Sequence, residues 1–122
     1  MICLDTNIYI YIANGKLSPS TIKNHDIAFA SVSKIEALGF HELVAQEQSR
    51  LKIIFEAAEQ IQLTDDVVAK AIHLRQNRKM SLGDAIVASS ALENKLELWT
   101  ANTKDFEHIE DLKLHNPMQG LL

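Results

Sequence analysis

The chain opens Met1-Ile2-Cys3-Leu4-Asp5-Thr6-Asn7, and three adjacent apolar residues closed by an acid decide how the rest is read. Ile2 to Leu4 lacks the in-out alternation of a strand with one wet face. It reads as a strand buried on both faces, the pattern of a central strand in a parallel sheet. Thr6 and Asn7 are helix-starting residues, and an apolar helix through Ala13 follows until Asn14-Gly15 stops it. An acid that closes a buried strand is costly unless it is paired or put to use, so Asp5 calls for an explanation.

Working outward, Ser18-Pro19 opens a short polar helix, with Ser18 as N-cap and Pro19 in the first turn. Ile27 to Ala30 is a second all-apolar strand. From Ser33 the pattern turns helical: Ile35, Leu38 and Phe40 precede a second helix carrying Leu43, Val44, Leu51, Ile54, Phe55 and Ala58, with an irregularity at Gly39 or Ser49. Ile61 to Leu63 reads as a third strand. Thr64 then caps a helix whose apolar face is Val67, Val68, Ala71, Ile72 and Leu74. Ser81 starts another, in which Ala85, Val87, Ala88, Ala91 and Leu92 are mostly small enough for close packing. Glu97 to Thr100 is a fourth strand and Leu112 to His115 a fifth, stopped near Pro117. Strands alternating with helices imply right-handed crossovers and a three-layer α/β/α fold, with a short, mostly parallel sheet of four or five strands. At 122 residues the chain has the size of one domain, spanning 1–122.

Composition narrows the function classes. With 47% apolar and 23% charged residues and few Gly or Pro, this is not a disordered chain. The net charge of −4 removes a simple basic-patch case for nucleic-acid binding, although an acidic, metal-loaded pocket flanked by local Lys and Arg stays open. Cys3 is the single cysteine, so no internal disulfide forms, and its strand context marks it as a small core residue. No apolar run reaches a membrane span and the start lacks a basic leader, so a cytoplasmic protein without a membrane anchor is expected.

Asp5, Glu36, Asp84 and Asp105 are the candidate site. Ligands bind at the carboxyl ends of strands in open parallel sheets. Asp5 and Asp105 follow strand ends, Glu36 lies early in the helix after the second strand, and Asp84 is in the first turn of its helix. All four can therefore reach one edge, where their repulsion is relieved by a cation, by protonation or by water. A hard divalent ion with oxygen ligands is the economical answer. Each acid also has a structural reading. Ser81-x-x-Asp84 and Asn102-x-x-Asp105 have the form of capping boxes, Asp5 can cap the first helix, and Glu36 can face solvent. Thr6, Asn7, Thr100 and Asn102 are supporting candidates that could orient carboxylates or a bound water, or serve as caps and turns. Arg75, Arg78, Lys79 and Lys104 are the nearest cations and could hold phosphates. His25, His41, His73, His108 and His115 are scattered without the spacing of a metal box.

Leu4-Asp5-Thr6-Asn7, Glu36 after the second strand, Asp84-Ala85-Ile86-Val87-Ala88 and Thr100-x-Asn102-x-x-Asp105-Phe106, in this order, resemble a PIN domain. More narrowly the chain resembles the short VapC-type toxins of bacterial toxin–antitoxin pairs. That resemblance implies a Mg²⁺- or Mn²⁺-dependent endoribonuclease acting on RNA, a cognate antitoxin and a homodimer. It further implies Asp5, Glu36, Asp84 and Asp105 as the catalytic acids and Asp5, Asp84 and Asp105 as metal ligands. Glu36 would work partly through water, and Thr6, Asn7, Thr100 and Asn102 would support them. The apolar run Ile8 to Ile12 could serve an interface, or simply the core.

Two other classes compete. A haloacid-dehalogenase-like phosphatase also begins with a strand ending in Asp, but it needs an acid two positions later, where Asn7 stands. A non-catalytic interaction module would use the four acids as helix caps.

Overall fold

A computed structural model describes residues 1–120. Strands β1 (Ile2–Leu4), β2 (Ile27–Ala30), β3 (Glu59–Ile61), β4 (Glu97–Trp99) and β5 (Leu114–His115) form one sheet in the order β3-β2-β1-β4-β5. Every pairing is parallel, so the expectation of a mostly parallel sheet is met in full. The helices are α1 (Thr6–Ala13), α2 (Ser31–Leu38), α3 (Ala45–Glu56), α4 (Asp65–Asn77) and α5 (Leu82–Glu93), with 3₁₀ turns at Pro19–Ile22 and Thr103–Asp105. Residues 121 and 122, which the one-domain reading includes, lie outside the described residues.

Alternation along the central strands sorts the molecule into three layers. Ile2, Leu4, Ile27, Phe29 and Trp99 face α1, α2 and α3, where they bury Ile8, Tyr9, Ala37, Leu51 and Phe55. Tyr9 stacks on Phe55 with ring centroids 4.4 Å apart, and its hydroxyl donates to the Ala28 carbonyl at 3.2 Å. The buried phenol therefore keeps a partner. Cys3, Ala28, Ala30 and Leu98 point to the other side, against Leu74 of α4 and Val87, Ala88 and Ala91 of α5. Small residues on both surfaces let α5 lie close to the sheet. Ile8, Tyr9 and Ile12 are buried and Ile10 and Tyr11 half-buried, so α1 is a core helix. Among the described residues no helix is long and apolar enough to cross a membrane.

Besides the end of β4, which falls at Trp99 and not at Thr100, three boundaries differ from the sequence reading. β3 is Glu59–Ile61 and not Ile61–Leu63. It is an edge strand with Glu59 and Gln60 exposed, paired through its backbone to Ala28 and Phe29 of β2, and apolar content does not reveal such a strand. The helical stretch after β2 begins at Ser31 and is interrupted at Gly39. A Cβ at position 39 would run into the Ile35 carbonyl, so only glycine lets the chain leave α2 this closely. Leu43 and Val44 consequently lie in the connection, while Ser49 continues α3 without a break. The third difference is at β5, which begins at Leu114, two residues later than expected.

Candidate active site

From β1 the chain crosses to β2 on one side, and from β3 it crosses over to β4 on the other, so the order reverses between β1 and β4. Such a switch point opens a crevice at the carboxyl ends of the two strands. Asp5 and Thr100 are the residues that follow β1 and β4 there. Asp5 is 6% exposed and Thr100 fully buried. The Thr100 hydroxyl donates to Asp5 Oδ2 at 2.8 Å, and the Thr6 amide donates to Asp5 Oδ1 at 2.8 Å. Asp5 is thus the N-cap of α1, as its structural reading had it, and also a carboxylate pinned from two directions.

The crevice gathers further groups. Thr6 Oγ1 donates to Glu36 Oε1 at 2.8 Å and lies 3.0 Å from Ser33 Oγ. Because α2 starts at Ser31, Glu36 is its sixth residue and sits at the exposed rim, deeper in the helix than the sequence suggested. Asp84 is in the first turn of α5, where the Ser81 hydroxyl accepts from the Asp84 amide at 3.1 Å and so provides the cap. Asp105 closes the second 3₁₀ turn and is exposed; Asn102 makes no side-chain cap bond there, so that half of the expected capping box is not formed. Asn102 instead donates its backbone N–H to Thr100 Oγ1 at 3.0 Å. Asn7 Oδ1 accepts from the Ala101 amide at 3.4 Å, tying α1 to the segment after β4.

The acids sense one another. Burial pushes the Asp5 carboxyl up to about 6, and the charges of Asp84 and Glu36 add to the rise against the lowering bonds from Thr100 and Thr6. Asp84 is raised by burial first, then by the charges of Asp105 and Glu36. The four carboxylates therefore form one electrostatic cluster, linked through Asp84. Among the described residues the single ion pair is His41 with Glu42, so none of the four acids is neutralised by a protein cation.

Does this cluster suit a metal? The donors are all oxygens, from carboxylates and hydroxyls, which is the chemistry of a hard divalent ion. Asp5 and Asp84 are raised by burial and like charge, and a cation would relieve both. Among the described residues, however, no three His, Cys, Asp or Glu side chains converge closely enough to ligate one ion together. An ion bound here would draw on fewer direct protein ligands and would need water to complete its shell, which is the habit of Mg²⁺.

Sequence reasoning missed two neighbours of the site. Ser33 is fully buried beside Thr6, and its signal was a polar residue one helical turn before Glu36 on the same face. Gly83 lies under Glu36: a Cβ there would sit 2.8 Å from Glu36 Oε2, so the glycine lets the carboxylate rest against the first turn of α5.

Comparison with known proteins bears on the family and the fold. Residues 2–112 match the PIN domain. The structure is similar to a toxin–antitoxin complex from Klebsiella pneumoniae, at 26% identity and TM-score 0.80 over 96% of this chain and 98% of the other. It is also similar to VapBC2 from Rickettsia felis bound to a DNA fragment from their promoter, at 27% identity and TM-score 0.78 over 95% and 98% of the two chains. VapBC-1 from nontypeable Haemophilus influenzae, at 21% identity and TM-score 0.75 over 98% and 100%, shares the fold. No curated protein matches the sequence. A family match over almost the whole chain, on a parallel sheet whose switch point carries coupled carboxylates, leads to one conclusion: the chain belongs to the PIN-domain family.

Proposed function

We propose that this protein is a VapC-type toxin: a Mg²⁺-dependent endoribonuclease, also served by Mn²⁺, that hydrolyses RNA phosphodiester bonds with water. The observation that carries the reading is the buried Asp5 at the switch point, coupled to Asp84 and Glu36 with no protein cation beside it. Likeness to the Klebsiella and Rickettsia complexes supports the toxin assignment.

In this reading Asp5 and Asp84 would hold the ion directly and Asp105 would reach it through water, and the ion when bound would supply an acidified water and stabilise charge on the phosphorus oxygens. The chain's own groups do the positioning. Thr100 and the Thr6 amide fix both oxygens of Asp5, so that carboxylate meets its ligand in one orientation. Thr6 also holds Glu36 at the rim, where its carboxylate orients the attacking water and accepts its proton. Asn7, through Ala101, keeps the segment bearing Asn102 and Asp105 against α1. A cognate antitoxin and a second copy of the chain are the proposed protein partners, and the cytoplasm the place of action. Exposed Ile35 and Phe40 near Glu36, and exposed Ile72 and Leu82 on α4 and α5, offer apolar surface for such contacts.

The test is purified protein incubated with single-stranded and structured RNAs and Mg²⁺ or Mn²⁺. Cleavage that disappears in Asp5→Asn and Asp84→Asn supports the reading, and intact RNA with the wild-type chain overturns it. The caps formed by Asp5 and Ser81 are what favour the second reading, a non-catalytic interaction module, and the same assay separates the two.

A further inference from the structure

Beside the carboxylates lies a cavity of about 450 Å³ between the α4–α5 connection and the segment after β4. Asp84 and Asp105 line one part of it; Arg78, Lys79 and Lys104 line the rest, with His108 in the wall. Opposite charges in one cavity would ordinarily pair. Here, among the described residues, none of these three cations is within ion-pair distance of an acid. The three are exposed, so their donors are available to a ligand. Their backbone is nonetheless fixed on one side, because Arg75 Nε donates to the Met80 carbonyl at 3.2 Å and holds the connection that carries Arg78 and Lys79. Arg75, considered from sequence as a phosphate contact, is thereby committed to the loop. An independent observation comes from His108, whose Nδ1 and Nε2 are both shielded and pair with no protein group. Two shielded ring nitrogens with no partner are uncommon, and they mark this wall as short of an acceptor or donor.

The balance of charge argues for an anion. Four carboxylates remain net negative even with one divalent ion among them, so the edge by itself repels a polyphosphate chain. In a protein of net charge −4, three cations against two acids around one cavity are a local reversal of sign. We propose that this cavity is a subsite for the phosphodiester next to the one presented to the carboxylates, with Lys79 and Lys104 as its principal contacts and Arg78 at its edge. The ligand class is single-stranded RNA, bound through its backbone and not through its bases. This inference rests on the nuclease reading for the identity of the strand. It adds that the chain grips a flanking phosphate and that short fragments lacking one are poor ligands.

The experiment measures binding apart from cleavage. A fluorescein-labelled single-stranded oligoribonucleotide is titrated with the full chain, with Ca²⁺ in place of Mg²⁺, across a range of salt concentrations. Lys79→Gln with Lys104→Gln should weaken binding about tenfold and flatten the slope of log K against log salt by about 0.7, since contact with one phosphate is lost. Lys95→Gln with Lys113→Gln, which precede β4 and β5 at the opposite sheet edge, should change neither. Equal affinity and slope for the Lys79/Lys104 variant and the wild type, or an equal loss in the Lys95/Lys113 variant, would overturn the subsite. An oligoribonucleotide that binds through Lys79 and Lys104 but is never cut would sink the nuclease reading while leaving the subsite standing. Cleavage with unchanged KM in the lysine variant would do the reverse.

Discussion

The Thr100 hydroxyl meets Asp5 Oδ2 at 2.8 Å, closing a contact between residues 95 positions apart at the point where the strand order reverses. Without that donor the carboxylate would be buried with one oxygen unanswered. Thr100→Val keeps the shape and removes the bond, so it should destabilise the fold by about 1–3 kcal/mol. Thr100 also lowers the Asp5 pKa, so the cost should be larger at pH 8, where the carboxylate is charged, than at pH 4. Urea unfolding at the two pH values measures both; equal cost at both would deny the bond to the charged form.

Stability should itself depend on the proton at Asp5. Its folded-state pKa is about 6 against an ordinary 3.8, so between these values the folded chain holds a proton that the unfolded chain has released. The associated stability is present below pH 4 and lost as pH rises through 6, with a slope of at most about 1.4 kcal/mol per pH unit. Unfolding free energies measured with a chelator from pH 4 to 7 should show this fall, and Asp5→Asn should flatten it. A wild-type profile rising over that range would contradict the assignment.

Gly83→Ala should move stability and activity in opposite directions. Alanine in a helix interior is favoured over glycine by roughly 0.5–1 kcal/mol, and by less at Gly83, the second residue of α5. The new methyl would stand 2.8 Å from Glu36 Oε2, and the flexible, exposed Glu36 would yield. Thermal unfolding should occur slightly higher while RNA cleavage falls by about tenfold or more. A variant as active as wild type would remove Glu36's placement against α5 from the account.

Cys3 should be inert until the chain unfolds. The residue is fully buried, and its thiol is pushed up to about 12 by burial and then by the Asp5 charge. Thiolate, not thiol, reacts, so labelling by a disulfide reagent at pH 8 should proceed at the rate of opening and accelerate with denaturant. Immediate labelling of native protein would mean that the β1 layer is open.

How far these features were legible in sequence depends on what each residue does. Ile2 to Leu4 and Ile27 to Ala30 announce themselves because a strand covered on both faces must be apolar throughout. Glu59 and Gln60 do not, since an edge strand is fixed by backbone pairing and tolerates polar side chains. Asp5 was visible because burial makes an acid at a strand end conspicuous, and Asp84 and Asp105 lie near element ends, whereas Glu36, exposed and six residues into α2, had less to mark it. Their neighbours were less visible. Ser33 matters only through a contact with Thr6 27 positions away, and Gly83 only through the space it leaves for Glu36. Of the two roles open to Ile8 to Ile12, core packing is the one most of them take, because a central strand needs cover on that face. The apolar surface left exposed is elsewhere, on Ile35, Phe40, Ile72 and Leu82.

Titration calorimetry with Mn²⁺ on the wild-type chain and on Asp84→Asn goes to the centre of the proposal, because Asp84 links the acids and Ser81, not its carboxylate, caps α5. We expect saturable binding to the wild type and its loss in the variant, with the variant's unfolding transition preserved. Absence of binding to the wild type, or the same affinity in both, would contradict the claim that these carboxylates share a cation.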